Sequence, residues 1–366
     1  MFKNLVRAGT SLLAAILAVS AASVTAQVQP PLKVAFVYVS PIGEAGWSFQ
    51  HDLGRREMEK ALGDRVRTTV VESVAEGSDS ERVLRDLARQ GNQLVFATSF
   101  GYLEPALRVA AEFPGVRFEH AGGYKTAANL KTYDARYYEA RYLAGLLAGA
   151  TSRSGVAGYV AGFPVPEVIQ GLNAFTLGMR EANPKAVVKV VWLNSWFDPA
   201  READAAQALV NQGADVLTNH SASPAVAQTA QSNFAIRGVR FIGYQSDMHG
   251  FAPDAQLGAV VHHWGSYYSA EARAVLEGQW TSRPVWGAMR DGFVELAALD
   301  PRLPVTVLRR VEGRRKAIVA GTFKPFSAPL RDNRGNVRLS QGTLDEPAIQ
   351  TMNWLVEGVA GSLPGT

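Results

Sequence analysis

The sequence predicts an α/β protein built as two similar doubly wound parallel-sheet lobes joined by a hinge. Three observations carry this. Short apolar runs rich in β-branched residues alternate with stretches of helical spacing, the pattern of strands joined by crossover helices. The first half of the chain lies over the second when shifted by 122 positions. The composition, 366 residues with 47% hydrophobic and 19% charged, suits a globular protein of about two domains.

The elements follow in order. Residues 1–26 carry Lys3 and Arg7, then an apolar stretch, then small residues ending in Ala26; this is the pattern of a secretory signal peptide. KVAFVYV reads as the first strand, and SPIGEAGWSFQHDLGRR leads from it into a helix. VRTTVVESV is a second strand. SERVLRDLARQ is a helix with Val83, Leu84, Leu87 and Ala88 on one face. QLVFATS and VRFEHAG are further strands.

The second half repeats the series. Val34-Ala35 falls on Val156-Ala157, Val66 on Val188, Leu87 on Leu209, Gln90-Gly91 on Gln212-Gly213 and Ser99 on Ser221. One more residue of slip places Val116-Arg117-Phe118 on Val239-Arg240-Phe241. GVAGYVAG, VKVVWLNSW, DVLTNHS and VRFIGYQ are the matching strands. READAAQALVNQ is a matching helix, with Ala205, Ala206, Leu209 and Val210 inward. The tail has turn signals at Asp332-Asn333 and Arg334-Gly335, followed by a helical EPAIQTMNWLVEGV.

Charge and cysteine usage narrow the function. Without residues 1–26 the formal charge falls from +4 to +2, and no basic cluster suggests nucleic acid. Cysteine is absent, so no lipid-bearing cysteine can follow the signal, and no direct membrane anchor is expected. The expectation is a periplasmic or secreted protein.

In open parallel sheets, ligands bind beyond the carboxyl ends of the strands. Two facing lobes then enclose a cleft walled by the loops after each strand. Those loops are aromatic: Trp47, Phe49, Phe100, Tyr124, Phe163, Trp196, Phe197 and Tyr244. Their polar neighbours, among them Ser99, Asn194, Ser195, His220, Gln245, Ser246 and Asp247, are mostly hydrogen-bonding rather than ionic. Rings for stacking and groups for edge recognition suit a flat heterocycle. No metal is expected, because the six histidines lack ligand spacing and His262 and His263 on one strand point to opposite faces. No GxSxG, HExxH or Walker loop is present, and no cofactor is expected. A sensor adaptor sharing the same pocket, or a nucleoside hydrolase, is the competing reading. Glu139, within a helical stretch, is expected to support the lobe interface.

PIGEAGWSFQHDLGR, GNQLVFATSFGY, FEHAGGYKTAANLKTYDARYYEARYLAG, VVWLNSWFDPAREADAAQALVNQGADVLTNH, GYQSDM and MNWLVEGV together resemble the basic-membrane-protein (BMP) family. These are substrate-binding proteins of ABC importers with the type I periplasmic-binding fold. The resemblance implies a small-molecule ligand, a purine base or nucleoside, and an ABC permease as partner. It implies base stacking on Phe49 and Trp47, Asp247 where nucleoside binders hold a ribose hydroxyl, and His262 where they place a lysine. The loop GEAGW and His262 depart from the nucleoside binders and favour a free, adenine-like base. The implied lobes are 27–140 with 265–320, and 141–264. Crossings are expected near 133–154 and 262–268, with a third in the tail, and residues 321–366 are expected as a hairpin and helix near the hinge.

Overall fold

The computed structural model describes residues 30–364, so the expected signal peptide at 1–26 lies outside the described residues. The first lobe runs through β1 (Leu32–Val37), α1 (Trp47–Leu62), β2 (Val66–Val71), α2 (Ser78–Arg89), β3 (Leu94–Ala97), α3 (Leu103–Glu112), β4 (Arg117–Ala121) and β5 (Leu130–Ala135). The second runs through α4 (Tyr137–Thr151), β6 (Val156–Ala161), α5 (Pro166–Ala182), β7 (Val187–Trp192), α6 (Pro199–Asn211), β8 (Val216–His220), α7 (Ala225–Arg237), β9 (Arg240–Gln245) and β10 (Gln256–His262). The order β5-β4-β3-β1-β2 in one sheet is matched by β10-β9-β8-β6-β7 in the other, and all these pairs are parallel. The internal repeat is therefore two copies of one fold unit.

Local sequence explains the layers. β3 is buried at all four positions, and β1 at all but Lys33, because helices cover both faces of a parallel sheet. α2 buries Leu84, Leu87 and Ala88 on its core face, as its spacing predicts. α4 is apolar nearly all round and is buried against α5. Glycines allow that contact: a Cβ on Gly145 would fall 1.9 Å from Phe175 O, and one on Gly178 2.0 Å from Tyr142 O.

The chain crosses between lobes three times. The first crossing lies between β5 and α4, the second after β10. α8 (Gly265–Leu276) then packs on α1, and β11 (Val285–Gly287) joins β5 at the edge of the first sheet. The third crossing, Ala288–Phe293, follows at once. β12 (Val294–Ala297) pairs antiparallel with β10, and α9 (Val305–Val319) packs on α4. Two expectations are corrected here: residues 294–319 belong to the second lobe, and the third crossing precedes the tail. Glu139 takes part in that crossing, accepting from Met289 N–H at 2.8 Å.

In the tail, β13 (Leu330–Arg331) and β14 (Val337–Leu339) form a small hairpin whose turn is held by Asp332, which accepts from the N–H groups of Arg334 and Asn336. The expected long helix is only α10 (Glu346–Gln350). Beyond it, Asn173 of α5 donates to Trp354 O at 2.7 Å and accepts from Val356 N–H at 2.9 Å, so these backbone groups bond to α5 instead of to a helical turn. β15 (Val359–Ala360) then adds to the second sheet beside β7.

Candidate ligand-binding cleft

The facing carboxyl ends of the two sheets meet around a cavity between the lobes. Its first-lobe wall is Val39, Trp47, Ser99, Phe100 and Ala121; its second-lobe wall is Glu167, Trp196, His220, Ser221, Ala222 and Gln245. The lobes are closed on one another. Gly46 N–H donates to Ser246 Oγ at 2.8 Å, and Gln50 Nε2 donates to His262 O at 2.5 Å.

The loop before α1 makes closure possible. Gly46 has φ +92°, and a Cβ there would lie 2.2 Å from Ala222 O of the opposite lobe. The stretch GEAGW thus supplies a residue that takes the left-handed backbone region and lets the second lobe approach. The helix starts at Trp47 itself. That fixes the indole: its N–H donates to Thr98 O at 2.6 Å, and its edge meets His51 at 4.3 Å between ring centres.

Five of the ten residues expected from sequence line the cavity: Trp47, Ser99, Phe100, Trp196 and His220. Phe49 does not. It lies two positions on in the same helix, about 200° round from Trp47, so one helix cannot aim both rings into one cleft. Tyr124 is 67% exposed; it lies beside Phe100 at 6.1 Å and borders a separate, larger groove that it shares with Asp134, Trp286 and Gln350. Asp247 is exposed and accepts from His249 N–H and Gln256 Nε2, organising its own loop.

Tyr244 and His262 are fully buried behind the cavity wall. The His262 ring stacks on Tyr137 at 4.3 Å and meets the edge of Trp47 at 6.0 Å. Burial holds its imidazole well below the usual histidine range. His263, its neighbour, faces outward and pairs with Glu295.

Two functional neighbours were not foreseen. Glu167 stands in the first turn of α5, one residue past the loop Gly162–Pro166 that sequence reasoning placed on the wall. Its Oε1 lies 3.2 Å from His220 Nε2 and 3.5 Å from the Tyr244 hydroxyl. Arg141 is buried inside α4, packs flat on Tyr244 at 3.4 Å, and donates to Thr218 Oγ1 and Asn219 O. Burial pushes the Glu167 carboxyl up to about 7, with the Arg141 charge and the Tyr244 hydroxyl pulling against it. Burial and the same arginine hold His220 well below its ordinary value, so it is neutral, with its Nε2 3.2 Å from Glu167 Oε1. Proline before the glutamate was the available signal, marking a helix start whose first turn points at the sheet ends.

Gln245 carries a further mark. It is at φ +72°, a left-handed conformation that side chains seldom adopt, and its Oε1 is buried with no partner. Such strain is retained where surrounding structure imposes it, and it clusters at functional sites.

Comparison with known proteins decides the family. Residues 32–319 match the Bmp family model, described as ABC transporter substrate-binding protein PnrA-like. The chain belongs to the Bmp family. A purine-binding protein of Brucella abortus is 47% identical over 93% of this chain and 96% of its own length. A Haloferax volcanii protein named as an ABC transporter glucose-binding protein is 36% identical, over 91% of this chain and 81% of its own. Among solved structures, an ABC solute-binding protein from Aeropyrum pernix superposes with TM-score 0.68 at 20% identity, covering 82% of this chain and 94% of that one. One from Conexibacter woesei gives 0.65 at 22% identity, covering 80% and 98%. These last two speak for the fold alone. As a Bmp-family substrate-binding protein, the chain has a small molecule as its ligand. Among the described residues no helix is long and apolar enough to cross a membrane.

Proposed function

We propose that this protein captures a purine base, adenine-like in preference to a nucleoside, in the periplasm and presents it in the closed form to an ABC permease for import. The observation that carries the reading is the pair Trp47 and Trp196, contributed by opposite lobes to one cavity. Their rings supply flat apolar surface, and Ser99, Glu167, His220 and Gln245 supply hydrogen-bonding groups for a ring edge. The purine-binding relative of Brucella abortus supports the same choice.

The glucose-binding name of the second relative raises a sugar as the other candidate. A sugar of that size presents a hydroxyl on almost every carbon and needs a partner for each. More than half the lining here is apolar: Val39, Trp47, Phe100, Ala121, Trp196 and Ala222. That favours the heterocycle.

Titration calorimetry with adenine, hypoxanthine, guanine, adenosine and glucose tests the reading. A purine base is expected to bind most tightly. Binding of glucose, with no purine tighter than about 100 μM, would refute it (a threshold of only about −5.5 kcal/mol).

A further inference from the structure

We propose that the Gln245 carboxamide reads the polar edge of the bound base, and that the tryptophans and serines around it have no hydrogen left to donate. The inference rests on the purine reading above and deepens it, naming the residue and the ligand groups that decide which base is held.

The donors of the wall are already committed. The Trp47 indole N–H goes to Thr98 O at 2.6 Å, and the Trp196 indole N–H to Glu76 Oε1 at 3.0 Å. Ser99 Oγ donates to that same Glu76 oxygen at 2.6 Å. Ser221 Oγ donates to Glu202 Oε2, on α6, at 2.7 Å. A hydroxyl has one hydrogen, so both serines keep only lone pairs for a ligand. His220 sets its Nε2 3.2 Å from Glu167 Oε1, an oxygen that also accepts from the Tyr244 hydroxyl at 3.5 Å. Of the polar side chains lining the cavity, this leaves Gln245.

Gln245 is the opposite case. It lines the cavity, is 4% exposed, and its Oε1 is buried with no hydrogen-bond partner. An unpaired buried carbonyl is costly unless something supplies a hydrogen, and a bound ligand can. The backbone holds the side chain in this place at a cost of its own, since Gln245 ends β9 at φ +72°. The next residue, Ser246, accepts the Gly46 N–H of the opposite lobe at 2.8 Å. Lobe closure and the placing of the carboxamide therefore act on adjacent residues.

A carboxamide presents a carbonyl beside an N–H. Its complement is a ligand edge that carries an N–H beside an acceptor, the arrangement by which glutamine pairs with the adenine amine and an adjoining ring nitrogen. The committed donors sharpen the choice. Other N–H groups of the base meet serine lone pairs, whereas its other acceptors meet no free indole or hydroxyl hydrogen. A base whose amine is replaced by an apolar group leaves Gln245 Oε1 unpaired in the closed form.

The test is calorimetry of the full chain with adenine and with 6-methylpurine, which keeps the ring and replaces the amine by a methyl group of similar size. The wild type is expected to bind adenine at least about tenfold more tightly. Gln245→Met keeps the length of the side chain and has no amide. It is expected to weaken adenine at least about tenfold and to leave 6-methylpurine unchanged, so that the preference disappears. Gln245→Asn, a residue that tolerates left-handed backbone, withdraws the amide by one methylene and is expected to lose adenine selectively too. It carries the test if the methionine variant misfolds by circular dichroism. Equal binding of the two bases by the wild type, or equal losses of both in a folded variant, overturns the role of Gln245 and leaves the purine reading standing. Failure of every purine to bind overturns both.

Discussion

The Trp196 indole of the second lobe donates its N–H to Glu76 Oε1 of the first at 3.0 Å. The same oxygen accepts from Ser99 Oγ at 2.6 Å and from Gly101 N–H at 2.8 Å. One carboxylate oxygen therefore gathers a cavity-lining serine, a loop backbone group and the opposite lobe's aromatic wall. Because Ser99 and Gly101 belong to the same lobe as Glu76, they fix the acceptor before closure, and Trp196 arrives at a prepared partner. Closure and assembly of the aromatic wall become one event.

Trp196→Phe keeps a ring but removes that donor. A hydrogen bond to a charged acceptor contributes about 1.5–3 kcal/mol, less where water reaches it, and here the pair is exposed. We expect ligand affinity to fall by about 0.5–1.5 kcal/mol through a smaller closed population. The melting temperature of the unliganded protein should stay within about 1 °C, since surface changes usually cost under about 0.5 kcal/mol. Calorimetry and a thermal melt check it. A large loss of unliganded stability with unchanged affinity would contradict the latch.

Trp47 and Phe49 separate two readings of the WSF stretch. Trp47→Ala should cost about 1–3 kcal/mol of purine affinity, the scale of base–aromatic stacking. Phe49→Ala should cost under about 0.5 kcal/mol, because it faces away from the cavity. Calorimetric affinities of the two variants decide it; equal losses would mean that α1 begins elsewhere.

Much of the fold was legible because it follows from periodicity. Continuous apolar strands, one-sided helices and the 122-residue repeat all depend on local burial, and the matched pairs Leu87/Leu209 and Ser99/Ser221 occupy matching places in the two lobes. The third crossing was not legible. β12 is four residues, VELA, and its place is set by pairing with β10 rather than by any pattern of its own. The tail helix failed for a similar reason, since Asn173 binds its backbone from another element. In the cleft, aromatic loop residues could be named but not aimed. Trp47 against Phe49 depended on a helix start one residue after Gly46, and Tyr124 on a loop that turns outward. Arg141 and Glu167 escaped notice because charged residues in helical stretches look like solvated faces until β8 and β9 of their own lobe pack against them.

The α4–α5 contact gives a stability prediction. Gly145→Ala would place a methyl 1.9 Å from Phe175 O, and two packed backbones cannot yield as a side-chain tip can. Overpacking of this kind costs about 1–3 kcal/mol, occasionally more. Urea denaturation should show the midpoint shifted down with an unchanged slope. Gly313→Ala, with open space around it in α9, should instead leave stability unchanged or raise it by up to about 1 kcal/mol.

Gly46→Ala tests closure without touching any group that would meet the ligand. The residue is at φ +92°, and its new methyl would meet Ala222 O at 2.2 Å only when the lobes are shut. With ψ at −163° this backbone is one that glycine alone adopts readily and costs a residue with a Cβ about 1–3 kcal/mol, and the folded open form can relax that loop. The closed form cannot, because Gly46 N–H is also fixed to Ser246 Oγ at 2.8 Å. The variant should therefore lose more affinity than stability, with Kd raised at least about tenfold, or 1.4 kcal/mol. Small-angle scattering in saturating ligand should give a larger radius of gyration than the wild type. A variant that closes normally and binds as tightly would show that the contact between Gly46 and Ala222 does not govern the shut state.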